Sequence, residues 1–294
     1  MSTEWFEDYT ISAIAPYDSK HAFFLMKDRD LEESEIQHSV FIEYNSGGWR
    51  EIDTTNWECA GICIPDSPKV EMLAIGANGE IAFAPLGGTI SESQIEPTPF
   101  LLRTASKIEN KIFACGMRRE VYRQSINGKW QQIFTSPTKK GELSGFEALA
   151  GFTEENLYTA GWHGEIWHFN GALWRQIDSP TNQILTGATC STHGEVYICG
   201  RNGTLLKGHG DIWKNIEPEP FNDDFWSITE HQGSIYASTM SEVYILKDDN
   251  LTPINWGVQR PTTCYRLVVG GGSLWSVGAN DAWVNNGTNW IKVL

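Results

Sequence analysis

The chain has 294 residues, a formal net charge of −15, 12% aromatic residues, 28 glycines and 13 tryptophans. A field of that sign repels phosphate backbones and argues against a nucleic-acid partner. No run of roughly 18 apolar residues is present to cross a membrane, and the start, Met1 to Asp8, lacks a signal peptide's basic and apolar regions. A cytoplasmic protein without a membrane partner is therefore expected.

In chain order the sequence breaks into seven units of short strands. The first, residues 10–56, opens on a strand at 11–16 and ends on a strand carrying Trp49 and Ile52. Its middle turn is expanded into residues 27–39, with Asp28, Asp30, Glu32, Glu33 and Glu35. The second, 57–98, begins near Trp57 with a strand at 59–64 and contains a hairpin around Ala77-Asn78-Gly79; its outer strand near Ile95 lacks the tryptophan. The third, 99–137, has its first strand at 102–108, a turn with Met117, Arg118 and Arg119, and an outer strand with Trp130 and Ile133. The fourth, 143–181, starts at 146–152, turns at Trp162-His163-Gly164 and ends with Trp174 and Ile177. The fifth, 183–219, starts at 185–191, turns at Arg201-Asn202-Gly203 and ends with Trp213 and Ile216. The sixth, 223–259, follows a connection with Phe221, Asp223 and Asp224 and starts at 225–230, where Trp226 lies. The last, 263–294, starts at 265–269 with Tyr265, turns through Gly270-Gly271-Gly272, carries Asp281 in its next turn and ends on Trp290 and Val293.

Successive tryptophans of the outer-strand phrase are 81, 44, 39 and 77 residues apart. One period of about 40 residues with two degenerate copies explains all four gaps, and that is the length of a propeller blade. The strand–Gly–turn–strand phrase keeps the same beat, and Asn-Gly between apolar strands is a strong hairpin signal. The expected fold is all-β: one domain, a seven-bladed propeller of four-stranded antiparallel blades. The last unit contains its own outer strand, so the N-terminus is not needed to complete a blade. Trp5 and Phe6 are expected to latch onto the seam.

Taken with the asparagine–glycine–tryptophan stretches at 127–130, 170–174 and 286–290, the chain resembles bacterial orphan propellers grouped with the WD-repeat, kelch and Asp-box families. The WD dipeptide, kelch's paired glycines and the Asp-box order are all absent, so the resemblance implies a fold and carries no activity. Some propellers of this kind act as antitoxin partners. The resemblance thus adds one pointed expectation, a bacterial immunity protein that neutralises a secreted toxin.

The residues offer little chemistry. The six cysteines, Cys59, Cys63, Cys115, Cys190, Cys199 and Cys264, form no CxxC pair and sit mostly in apolar runs, as buried reduced thiols do. The seven histidines are scattered singly, and the paired carboxylates lie in polar stretches. No catalytic residue, metal or cofactor is expected. The glycosidase reading lacks its arginine cluster and stays as an alternative, beside a glycan-binding, lectin-like propeller.

The departures from the repeat carry more information. In a propeller, the turns between second and third strands and the connections between blades emerge on one face. On that face, blades six, seven and one are expected to share an acidic sector with Glu32, Glu33, Asp223, Asp224 and Asp281. The other side carries Arg118, Arg119, Lys139, Lys140 and Arg201. Trp57, Met117, Trp162, His163, Phe221, Trp226 and Tyr265 supply apolar and aromatic contact, of the type that dominates interface hot spots. These residues, apart from Asp281, Lys139 and Lys140, are the candidate partner-binding set. The expected function is a non-catalytic, monomeric propeller that binds a protein, with a basic toxin as the favoured partner.

Overall fold

The computed structural model describes residues 3–67, 71–125, 127–139, 141–216 and 221–294, with side chains from residue 6 onward. They form seven four-stranded antiparallel sheets whose strands pair in chain order. The innermost strands are Tyr9–Pro16, Cys59–Cys63, Leu102–Ile108, Phe146–Thr153, Leu185–Cys190, Ser227–His231 and Arg266–Gly270. The fold is the expected seven-bladed propeller. In blade six the inner strand begins two residues later than the sequence suggested. The Phe225 amide donates back to the Gly200 carbonyl of blade five and so belongs to the connection.

Burial follows position in the blade. Second strands such as Glu71–Gly76, Lys111–Gly116 and Asn156–Gly161 are apolar and buried along almost their whole length. A sheet sandwiched between two neighbouring sheets must be apolar on both faces. Fourth strands are the most open, and Ser91–Gln94 is exposed throughout. Seven hydrophobic clusters result, one for each blade–blade interface. The repeated tryptophans fill the outer parts of these interfaces. Trp174 of blade four stacks on Phe134 of blade three at 4.9 Å, and Trp213 of blade five meets Tyr158 of blade four at 6.0 Å.

The seam between blades seven and one is closed by packing. Blade seven completes itself with Trp290–Lys292. Phe6, in the 3-10 turn Thr3–Asp8, meets Trp49 edge-on at 4.7 Å and is buried with Trp275, Val277 and Val284. The side chain of Trp5 lies outside the described residues. The Ile11 amide donates to the Ala279 carbonyl at 2.8 Å, which ties blade one to a turn of blade seven.

The glycine that ends most second strands has a steric cause. A Cβ at Gly116 would overlap the Leu101 carbonyl, and one at Gly161 the Gly145 carbonyl. The connection from the preceding blade runs directly over these positions. The next residue uses that proximity: the Met117 amide donates to Leu101 at 2.8 Å and the Trp162 amide to Gly145 at 3.0 Å. Those two bonds each lie within one blade; neighbouring blades are tied at the rim of the same face by others, the Leu102 amide to the Ala77 carbonyl at 2.7 Å and the Arg118 amide to the Ser144 carbonyl at 2.9 Å.

Candidate functional site

The inter-blade connections and the turns between second and third strands share that face. In blade one the expanded turn folds into a short helix, Arg29–Glu33. Asp28 caps it, accepting from the amides of Asp30 (3.0 Å) and Leu31 (3.2 Å). Arg29 reaches inward to the carbonyls of Glu7 (3.0 Å) and Tyr9 (3.1 Å) and to the Asn280 side chain, clamping the helix across the seam. Buried His38 closes the loop: its Nε2 accepts from the Asp28 amide and its Nδ1 donates to the Ile36 carbonyl, both at 2.7 Å. The anchors point inward, and Asp30, Glu32, Glu33 and Glu35 project into water.

Part of the expected acidic sector survives. Asp223 is exposed, while Asp224 is half-buried and accepts from the Asn202 amide at 2.8 Å. Phe221 is half-buried, stacked on Phe225 at 4.9 Å. Asp281 requires correction: it is buried and accepts from the amides of Thr262 (2.7 Å) and Thr263 (3.4 Å), so it organises the loop beneath the surface. Lys140 and residues 217–220 of the connection before blade six lie outside the described residues.

The expected basic sector is corrected more heavily. Arg119 is only 7% exposed. Its Nε and Nη2 each donate to Glu165 at 2.6 Å, Nη2 also meets Glu142 at 3.3 Å, and Nη1 bonds the Pro137 carbonyl at 3.1 Å. Burial by itself would raise the Glu165 pKa; the bonds from Arg119, with help from Trp167 and Ser144, outweigh it and hold the carboxyl below its usual range. The charge is thus spent inside the protein, tying the turns of blades three and four together. Arg118, the adjacent residue, is exposed and lies over the Phe100 ring at 3.7 Å. Arg201 is exposed as well. Met117 and Trp57 are buried, and the Trp57 indole donates to Glu92 at 2.7 Å. These two hold the connections in place and present no surface to a partner.

The centre of the face gathers Trp226, Tyr265, Trp162 and His163 of the expected set with residues that were not expected. In blades one to five, the pairing of the first strand with the second skips one residue near the strand's start: Ser12, Ala60, Arg103, Glu147 and Thr186 respectively. Such bulges re-aim side chains at barrel rims. The same position in blades six and seven is taken by Trp226 and Tyr265, immediately before the inner strands. These seven residues stand around the channel mouth, and two neighbouring pairs touch. Arg103 and Glu147 pair at 3.0 Å, and Trp226 and Tyr265 meet edge-to-face at 5.7 Å. Glu147 also accepts the Trp162 indole N–H at 2.7 Å, which draws that half-buried tryptophan to the mouth. His163, with a left-handed φ of 58°, is exposed beside it and donates to the Leu143 carbonyl at 3.0 Å. Trp226 remains 43% exposed.

One residue deeper stands Arg266. Water reaches it along the channel, yet inner strands ring it, and this desolvation lowers its pKa from the usual arginine value. Its charge is felt by Cys59 of blade two and Arg103 of blade three. Arg266 opens the inner strand Arg266–Gly270 of blade seven and is exposed, which sets the guanidinium at the channel. It has no hydrogen-bond or ion-pair partner among the described residues. A sequence signal existed for it. The equivalent positions in the other blades are Ala13, Gly61, Thr104, Ala148, Gly187 and Ser227, all small and uncharged.

Among the described residues no cluster of His, Cys, Asp and Glu could hold a metal ion, and no helix is long and apolar enough to cross a membrane. The six cysteines are unpaired. Burial pushes the thiols of Cys63 and Cys199 up to about 12.

No family model matches the chain. The WD40 propeller domain of Doa1 superposes with a TM-score of 0.71 at 12% identity, over 94% of this chain and 92% of that one. Virginiamycin B lyase from Staphylococcus aureus gives 0.65 at 13% identity, over 80% and 83%. At such identities the likeness shows the fold alone. A curated protein, Immune protein Tsi7 of Pseudomonas aeruginosa, is 33% identical over 277 residues, 90% of each chain. An alignment of that length cannot leave out a whole blade, and the chain belongs to the family of the immune protein Tsi7.

Proposed function

We propose that this protein is an immunity protein that binds a cognate protein toxin with the loop face of its propeller and neutralises it by occupation, without catalysis. The relation to Immune protein Tsi7 over nine-tenths of both chains carries this reading. The loop face supports one large, asymmetric partner. Its seven equivalent mouth positions hold seven different residue types, Ser12, Ala60, Arg103, Glu147, Thr186, Trp226 and Tyr265. Repeated glycan pockets would need like residues at like positions. Support for a non-catalytic role comes from the ion pairs that occupy Arg103, Glu147, Arg119 and Glu165. Six unpaired thiols, four of them buried, fit a reducing compartment such as the cytoplasm. The reading has the protein act as a monomer, and the projecting carboxylates of residues 30–35 and Asp223 favour a basic toxin surface.

The test is protection. The protein is co-expressed with the product of each gene that neighbours its own, and survival and affinity are measured. Wild type that neither protects nor binds would sink the immunity reading. The variant Glu32→Lys/Glu33→Lys/Asp223→Lys should slow association by about tenfold or more at low salt, since such charges act mainly on encounter. An unchanged association rate would remove the basic partner and leave immunity standing.

A further inference from the structure

We propose that the mouth of the central channel is a seat for one carboxylate of the bound partner protein, an Asp or Glu side chain, with Arg266 as its cation and the Trp226–Tyr265 pair as the wall for its stem. The inference rests on the loop face being the toxin-binding face. It deepens that reading by naming what sits at the centre.

The charge arrangement favours an occupant of this sign once the mouth is covered. Arg103 is neutralised by Glu147, so among the described residues the excess charge at the mouth is the guanidinium of Arg266. A partner laid over the loop face removes the mouth from bulk water. An unpaired guanidinium covered in that way is costly, and a carboxylate placed against it relieves the cost. The planar fork of arginine matches a carboxylate through two parallel N–H bonds. Opposite the ion pair, the T-shaped Trp226–Tyr265 pair offers an apolar flank, with Trp226 still largely open. A carboxyl on a short aliphatic stem fits both halves.

The device also supplies discrimination. The rim carries projecting acids and attracts basic proteins in general, whereas Arg266 repels a basic surface pressed onto the centre. A partner with a carboxylate at that point satisfies both, and one without it leaves a charge unpaired.

The full-length protein is labelled on arginine and titrated with N-acetyl-glutamate methylamide, with N-acetyl-lysine methylamide as control, while guanidinium NMR signals are followed. The signal lost in Arg266→Lys should shift with the glutamate compound and stay still with the lysine compound. No shift with glutamate overturns the seat, whatever the toxin assay gives. Against the toxin domain found in the protection assay, Arg266→Ala should weaken binding roughly 30-fold or more, as hot-spot residues do. Arg266→Glu should weaken it further, and one Asp→Lys or Glu→Lys exchange in the toxin should restore binding to that variant. Because Arg266 has no internal partner to lose, Tm should not fall in either variant. Wild-type affinity in Arg266→Ala, beside weakened binding in the acidic-loop variant, overturns the seat and spares the immunity reading. Failure of the wild type to bind any toxin sinks that reading, and the glutamate titration still decides the seat.

Discussion

Replacing Arg119 with methionine keeps the aliphatic stem and removes the guanidinium that holds Glu165, Glu142 and the Pro137 carbonyl. Glu165, about 9% exposed, is left with the weaker donors Ser144 and Trp167, each at 3.2 Å. Breaking a buried pair from one side costs about 3–5 kcal/mol. At about 2 °C per kcal/mol, the low end for large domains, Tm falls by roughly 6–10 °C. The pH dependence has a definite sign. The Glu165 carboxyl is depressed below its ordinary 4.5 in the folded protein. Its contribution is therefore complete above that value and is lost as pH falls through the lower folded pKa. Melting curves of wild type, Arg119→Met, Glu165→Gln and the double variant, taken from neutral pH down to about pH 3, measure all of this. The double variant should regain much of the loss, because no uncompensated charge remains. A cost below about 1 kcal/mol for Arg119→Met, or simple additivity in the double variant, would refute the role assigned to the pair.

Phe6→Ala should cost about 3 kcal/mol, as loss of a buried phenylalanine does, and limited proteolysis should then cut first at the seam between blades seven and one. Gly116→Ala and Gly161→Ala force a methyl against a carbonyl of the preceding connection and should each cost about 1–3 kcal/mol by chemical denaturation. The thiols of Cys59, Cys63 and Cys199, pushed up to about 12 by burial, are protonated at pH 8 in the folded state. An aromatic disulfide reagent should therefore react slowly with native protein and rapidly with all six cysteines after unfolding; a fast native thiol would contradict the burial.

The blade count was legible because its signals are local. Trp49, Trp130, Trp174, Trp213 and Trp290 repeat since each fills the same gap between sheets, and the strand-ending glycines repeat since each lies under the same crossing chain. The face was legible only in part. Arg118 and Arg119 are neighbours in one turn with φ near +59° and +58°, yet one points to water and the other inward. What separates them is Glu165, 46 residues away, and no local pattern announces that partner. Asp281 misleads in the same way, since its ligands are amides of the connection at 262–263. At the mouth only Trp226 and Tyr265 stood out, as aromatics; the bulged positions differ in type in every blade, so no repetition marks Ser12, Ala60, Arg103, Glu147 and Thr186. Arg266 could have been found by the opposite search, for a charge where the other blades are small.

The chain shows a division of labour. The groups that hold the frame are repeated or paired: glycines under crossing chains, tryptophans between sheets, Arg119 against Glu165, Phe6 in the seam. Groups at the mouth and in the acidic loops are unrepeated, and several lack internal partners. Substituting a repeated or paired residue removes a contact that the fold uses. Substituting Arg266, Trp226, Asp223 or Glu32 removes little that other parts of the chain depend on. Binding and stability should therefore vary independently along this chain, with partner choice able to change at the mouth while Tm stays constant. A propeller suits such a role because its seven equivalent interfaces keep the ring closed whatever the loops carry. The loops are then constrained only by the partner.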